Sequence, residues 1–222
     1  MNNQDEICLA QFLFPDEAER AAAAGLLQTA PAAERICRIK YAEGEQFQDV
    51  CLQVFCDRTV VTGMDKEDGY SYVLEEPGQI KRAFRYLFNC SEYAEGRSLA
   101  VPALVLSGYT VQKLLDESGT CSLIILAELL GAETGDPLSA AKLAATLHSR
   151  VITGVVWLCT RSVSSWCLQQ AAFVEGSAGG WLLRGGCERA QDFITACPFT
   201  RAEMCQALYD WIVLPGASRH PE

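Results

Sequence analysis

Apolar residues recur along this chain at two spacings, and the spacing separates strand from helix. Residues 50–56 and 59–63 are rich in β-branched, aromatic and other apolar side chains, the chemistry of strands. Tyr70, Tyr72 and Leu74 then fall on every second position and predict one face of a third strand. Behind Glu76-Pro77-Gly78 the period lengthens. Ile80, Phe84, Leu87 and Phe88 fall at i, i+4, i+7 and i+8, a single stripe along a helix. The same succession returns near the end of the chain. Residues 151–160, 166–174 and 181–183 predict strands, and 193–197 a short strand stopped by Pro198. Thr200-Arg201-Ala202-Glu203 has the form of a capping box, in which threonine and glutamate satisfy each other's free amides. The helix behind it carries Met204, Leu208, Trp211 and Ile212 at i, i+4, i+7 and i+8.

Between these regions, residues 98–150 read as helix with breaks. Thr110 is a candidate N-cap for a helix bearing Val111, Leu114 and Leu115, which Ser118-Gly119 ends. Residues 123–130 are apolar enough for a short buried helix, and Asp136-Pro137 opens another that runs through Leu147. In front, residues 7–40 read as helical, with a start at Pro15-Asp16-Glu17, an interruption at Gly25 or Pro31, and a second helical stretch over 32–40. The tail 215–222 is expected to be disordered. The chain thus divides into 1–97 (N-terminal helices and a first strand-helix unit), 98–150 (helical middle), 151–214 (second strand-helix unit) and the tail, all within one compact domain.

The expected fold class is α+β: a mainly antiparallel sheet covered by helices. Two units of strand-strand-strand-helix suggest a pseudo-twofold duplication. Two unrelated α+β motifs would leave the same pattern, because the match is one of pattern and not of residue identity.

Composition narrows the function. Half of the 222 residues are hydrophobic and 21% are charged, which excludes disorder for most of the chain. The apolar stretch 123–130 contains Glu128 and is far short of the roughly 20 residues a membrane span needs. The formal charge is −10, and the densest basic cluster is Lys81-Arg82 with Arg85. Nucleic acid is therefore not expected as a partner. Eleven cysteines would suggest a disulfide framework in a small secreted protein. Here the first residues are polar and acidic, without the basic-then-apolar pattern of a signal peptide. Several cysteines also sit among aliphatics, as in Val50-Cys51-Leu52 and Leu158-Cys159. The expectation is free thiols in the cytoplasm.

Chemistry is hard to find. There is no CxxC, and the two histidines, His148 and His220, lie away from the cysteine pairs, so neither metal nor cofactor is expected. A cysteine nucleophile needs a base, and His148 with Cys159 or Cys167 is the obvious pair. No GxSxG elbow is present, and Ser139-Ala140-Ala141-Lys142 lacks the further motif that SxxK enzymes carry. The glycines Gly176, Gly179 and Gly180 precede Trp181 and a strand, not Lys-Ser/Thr and a helix, so they make a hairpin turn and not a phosphate loop. Asp65-Lys66-Glu67-Asp68-Gly69 is a polar turn. Read as a calcium loop it would put Met64 at the first ligand position. This absence of a convergent polar constellation points to binding in place of catalysis. An enzyme with a site assembled from scattered residues, or a structural subunit of a larger assembly, are the alternatives, and oligomeric state stays open.

One arrangement resembles a known family. Leu106-Ser107-Gly108-Tyr109-Thr110-Val111-Gln112-Lys113-Leu114-Leu115 is followed by the helical middle, Val155-Val156-Trp157-Leu158, Gly180-Trp181-Leu182-Leu183, and Phe199-Thr200-Arg201-Ala202-Glu203 at the last helix. This layout is similar to that of EspG-type proteins of type VII secretion. The resemblance implies a cytoplasmic, bacterial α+β chaperone or adaptor with pseudo-twofold halves that holds a helical secretion substrate. It also implies a binding surface at sheet edge and loops. The candidates are the hairpin turns with Asp65, Asp68, Gly69, Gly179 and Gly180, and the aromatics Trp166 and Trp181, unless the tryptophans are core residues as Trp in strands commonly is.

Overall fold

The computed structural model describes residues 25, 32–65, 68–90, 102–117, 121–163, 165–185 and 193–214. Among them, nine strands form one antiparallel sheet in the order β4-β3-β2-β1-β6-β7-β8-β9-β5. The strands are β1 (Arg35–Glu43), β2 (Gln46–Val54), β3 (Thr59–Asp65), β4 (Asp68–Leu74), β5 (Leu104–Ser107), β6 (Ile152–Arg161), β7 (Trp166–Gly176), β8 (Gly179–Gly185) and β9 (Phe193–Phe199). The helices are α1 (Pro77–Leu87), α2 (Gly108–Glu117), α3 (Leu123–Thr134), α4 (Pro137–His148) and α5 (Arg201–Val213). The α+β class and the antiparallel sheet are as the sequence pattern predicts.

The two halves are joined at the centre, where β1 pairs with β6 over its whole length and Ile39 faces Val156. Outward from that seam, β2-β3-β4 and β7-β8-β9 are successive meanders. Each half ends in a helix opened by a capping box, Glu76 with Gln79 in α1 and Thr200 with Glu203 in α5. Ile80 and Phe84 on the first, with Phe88 at its C-cap, correspond to Met204, Leu208 and Ile212 on the second. All six are buried in one cluster with Ile39, Leu52, Val156 and Phe173. Each such fully buried large side chain contributes about 1.5–3 kcal/mol. The first capping box escaped sequence reading because glutamate, not serine or threonine, occupies its N-cap.

The opposite sheet face of the second half is covered by α2, α3 and α4. Leu126, Leu130, Leu143 and Leu147 pack there on Val155, Val174, Trp181, Leu183 and Ile194. Helices therefore lie on both faces of the sheet.

Several expectations are corrected. Residues 35–40 belong to β1 and not to a helix, because Cys37, Ile39 and Tyr41 share the face under α1 and α5 while Ile36 is buried on the other. Each half accordingly contributes four strands. The middle begins with a strand, β5, which completes the sheet beside β9. Helix α2 starts at Gly108, so Thr110 lies inside its first turn and not at the cap. Helix α3 is only partly buried: Leu126 and Leu130 are covered, while Ile124 is 69% exposed. Pro198 does not stop β9; it pairs with Trp181. That is tolerated because β5 reaches only Ala196, leaving β9 an edge strand at Pro198, where no amide is needed. The helical reading of 7–31 lies outside the described residues apart from Gly25, which is helical. The tail 215–222 and the Ser118-Gly119 helix end also lie outside them.

Candidate functional site

The hairpin tips follow directly from the meanders. Strand β3 and strand β7 run in the same direction, so the β3–β4 and β7–β8 turns emerge at one end of the sheet. At the first, Asp65 faces Asp68 as the last pair and Gly69 faces Met64. At the second, Gly176 faces Gly179, whose φ of 115° is a conformation that favours glycine. Ser149 Oγ lies 3.0 Å from Ser177 Oγ and ties this turn to the end of α4. Gly180 is packed beneath Phe199, whose ring and carbonyl oxygen lie 2.9 Å from where a Cβ would stand. Five strand spacings separate the turns, about 24 Å.

Of the sequence-predicted residues, the structure gathers Asp65, Asp68 and Gly69 at one tip and Gly179 with Gly180 at the other. Trp166 is elsewhere: it opens β7 at the opposite end, half-buried against Ala33, Ile36 and Cys159. Trp181 is 2% exposed in the core beneath the middle helices, so its side chain offers no surface.

Arg201 sits at the tip-bearing end between the two turns. Its guanidinium donates to Glu175 (2.6 Å), to Glu43 (3.0 Å) and to the Phe88 carbonyl (3.1 Å). These contacts tie the start of α5 to the ends of β7, β1 and α1. Burial alone would lower the Arg201 pKa, but the two carboxylates outweigh it and the net direction is upward. Nearby, the Tyr41 hydroxyl donates to the Leu87 carbonyl. Burial, with Glu43 adding to it, pushes Tyr41 up to about 12.

Two grooves flank the α1–α5 pair on their shared sheet face. One, of about 500 Å³, runs beside α5 and is walled by Leu158, Ala171, Leu182, Pro198, Ala207 and Trp211, with Gln169, Arg184 and Glu203 among its polar lining. Its counterpart beside α1, about 660 Å³, is lined by Tyr70, Tyr72, Arg82, Arg85, Glu43 and Gln48 among others. A glycine shapes this second groove. Tyr70 lies flat across Gly63, where a Cβ would come within 2.3 Å of the ring, and stacks on Tyr72 at 5.9 Å.

In fold, the chain is similar to the Mycobacterium tuberculosis type VII secretion system chaperone EspG5. That protein was solved in complex with a PE25–PPE41 dimer. The match has a TM-score of 0.57 and covers 86% of this chain and 77% of that one, at 11% sequence identity, so the likeness is one of fold. No protein-family model and no curated protein matches the sequence.

The Cys/His pair considered for catalysis is not assembled. His148 ends α4, just before β6 begins at Ile152, whereas Cys159 lies seven residues along that strand, about 23 Å from its start. Burial also pushes the Cys159 thiol up to about 12. Cys167 is exposed and pairs with Thr160 at the same far end. Among the described residues, no three His, Cys, Asp or Glu side chains form a group able to hold a metal ion. No described helix is long and apolar enough to cross a membrane.

Sequence reading missed Arg201 as a junction and the groove beside α5. Arg201 looked like an ordinary residue of a capping box, since its carboxylate partners lie far away in the chain. Leu182 and Ala207 gave no signal because a groove depends on the gap between two elements, not on either alone.

Proposed function

We propose that this chain is a non-catalytic protein-binding module of the bacterial cytoplasm, a chaperone or adaptor that holds a helical secretion substrate. The observation that carries the reading is the fold shared with a type VII secretion chaperone whose structure holds a protein dimer. The placement of the hairpin tips supports a helical partner. A helix rises 1.5 Å per residue, so about 16 residues bridge the 24 Å between the turns. Asp65, Asp68 and Gly69 would contact one end of such a helix and Gly179 the other. Arg201 holds the intervening helix ends in place. A partner with basic residues near the first turn would complement the acidic surface.

The test is affinity capture of the full chain from its native cytoplasm with identification by mass spectrometry, beside a variant carrying Asp65→Lys and Asp68→Lys. The reading expects a helical, exported protein in near-equal amount, with recovery reduced tenfold or more by the variant. A chain that returns alone and monomeric contradicts it.

A further inference from the structure

Two cysteines from opposite halves of the chain meet where α1 and α5 pack. Cys205 lies in the second turn of α5, buried, with its thiol 3.6 Å from the Phe84 carbonyl. Cys90 follows the end of α1. Asn89 turns the backbone through φ 48°, and the Cys90 amide donates to the Arg85 carbonyl at 2.8 Å. That turn brings the Cys90 sulfur to 3.5 Å from the Cys205 sulfur. Both are thiols, in contact and not bonded. A disulfide needs about 2.05 Å, so the two sulfurs have a further ~1.5 Å to close.

We propose that Cys90 and Cys205 form a peroxide-sensitive dithiol site, which hydroperoxides convert to a disulfide stapling α1 to α5. The two sulfurs differ in access. Cys90 is half-buried and lines the groove beside α1, open to a small oxidant. Cys205 is enclosed, and burial together with the neighbouring Cys90 raises its pKa, which makes it the resolving and not the attacking thiol. The Cys90 thiolate attacks hydrogen peroxide, the O–O bond breaks, and Cys90 sulfenic acid and hydroxide result. The Cys205 sulfur then displaces the sulfenic hydroxyl, which leaves as water with the Cys205 proton. Overall two thiols and one peroxide give one disulfide and two waters. The site makes no assumption about a binding partner.

The experiment uses the full chain, treated with a small excess of hydrogen peroxide, alkylated and digested with trypsin. The expected product is an intact protein lighter by two hydrogens, in which tryptic peptides 86–97 and 202–219 are joined. The exposed Cys56 and Cys167 provide internal controls. Because the bond closes a long loop, the melting temperature should rise by roughly 10 °C and fall back on reduction. Cys90→Ser should abolish both the cross-link and the rise, while its reduced melting temperature matches the reduced parent. If Cys90 is instead over-oxidised with Cys205 left free, or the link maps to other cysteines, the proposal is wrong. A cross-linked protein with unchanged melting contradicts the staple.

Discussion

The two halves share one plan of four antiparallel strands and a capped helix, yet they use the outer face of the sheet differently. In the second half, α2–α4 bury it, and Trp181 is sealed there. In the first half the same face carries charge. Arg38 grips Asp49 through two hydrogen bonds of 2.9 and 2.8 Å, Lys40 approaches the same carboxylate at 3.5 Å, and both cations lie about 6 Å from the Trp157 ring. The grooves on the inner face diverge likewise, apolar beside α5 and rich in tyrosine and arginine beside α1. What the two halves match is their helix-packing positions, Ile80, Phe84 and Phe88 against Met204, Leu208 and Ile212. The surrounding faces are free to specialise.

The largest difference between the halves is expected at the third strand of each, where Val60 and Trp181 occupy corresponding positions. Trp181→Ala should cost about 3–5 kcal/mol in urea unfolding, through lost burial and a cavity. Val60→Ala, at a half-buried site, should cost about 1 kcal/mol or less. Equal losses would mean that the two outer faces are not different environments.

On the inner face the expectation reverses, and the halves should behave alike. Phe84→Ala and Leu208→Ala each remove a buried side chain facing the same cluster, and each should cost about 3 kcal/mol. A loss confined to one of them would show that only that helix is integral to the core.

High pH provides a third test. Burial raises Cys51 to about 11 and Cys159 to about 12, against 9.0 when unperturbed, and Tyr41 from 10.0 to about 12. The unfolded chain therefore releases these protons first. Stability is full below about pH 9 and falls as pH rises from there through the folded values, by about 1.4 kcal/mol per pH unit for each group in its window. Cys159→Ala should make that slope shallower by one group's share in urea titrations at pH 9.5 and 10.5.

The smallest effect is expected at the first turn of the capped helices, where Arg201 and Pro77 correspond. Arg201→Gln should lower stability by about 1 kcal/mol, since its ion pairs are partly solvated. Added salt should shrink the difference between variant and parent.

Much of this fold was legible because its signals are local. The 3.6-residue stripe of α1, the capping box of α5 and the Asp136-Pro137 start of α4 each depend on residues within one or two turns. What failed was set by distant partners. Residues 35–40 lack clean alternation because β1, at the centre of the sheet, buries side chains on both faces, and β5 is strand only by pairing with β9. For the candidate site, the turns themselves could be read from Asp65 to Gly69 and from Gly176 to Gly180. Their common direction could not, since it depends on the order of the strands. Trp166 and Trp181 looked equivalent as strand tryptophans, and only the packing of α2–α4 separates them.

The most direct measurement is hydrogen exchange on the full chain, alone and with its captured partner. Slowed exchange is expected at both ends of the bridge, around Asp65–Gly69 and around Gly176–Gly180, with no change at Trp166. Protection confined to the groove between α5 and β8, with both turns unaffected, would contradict it.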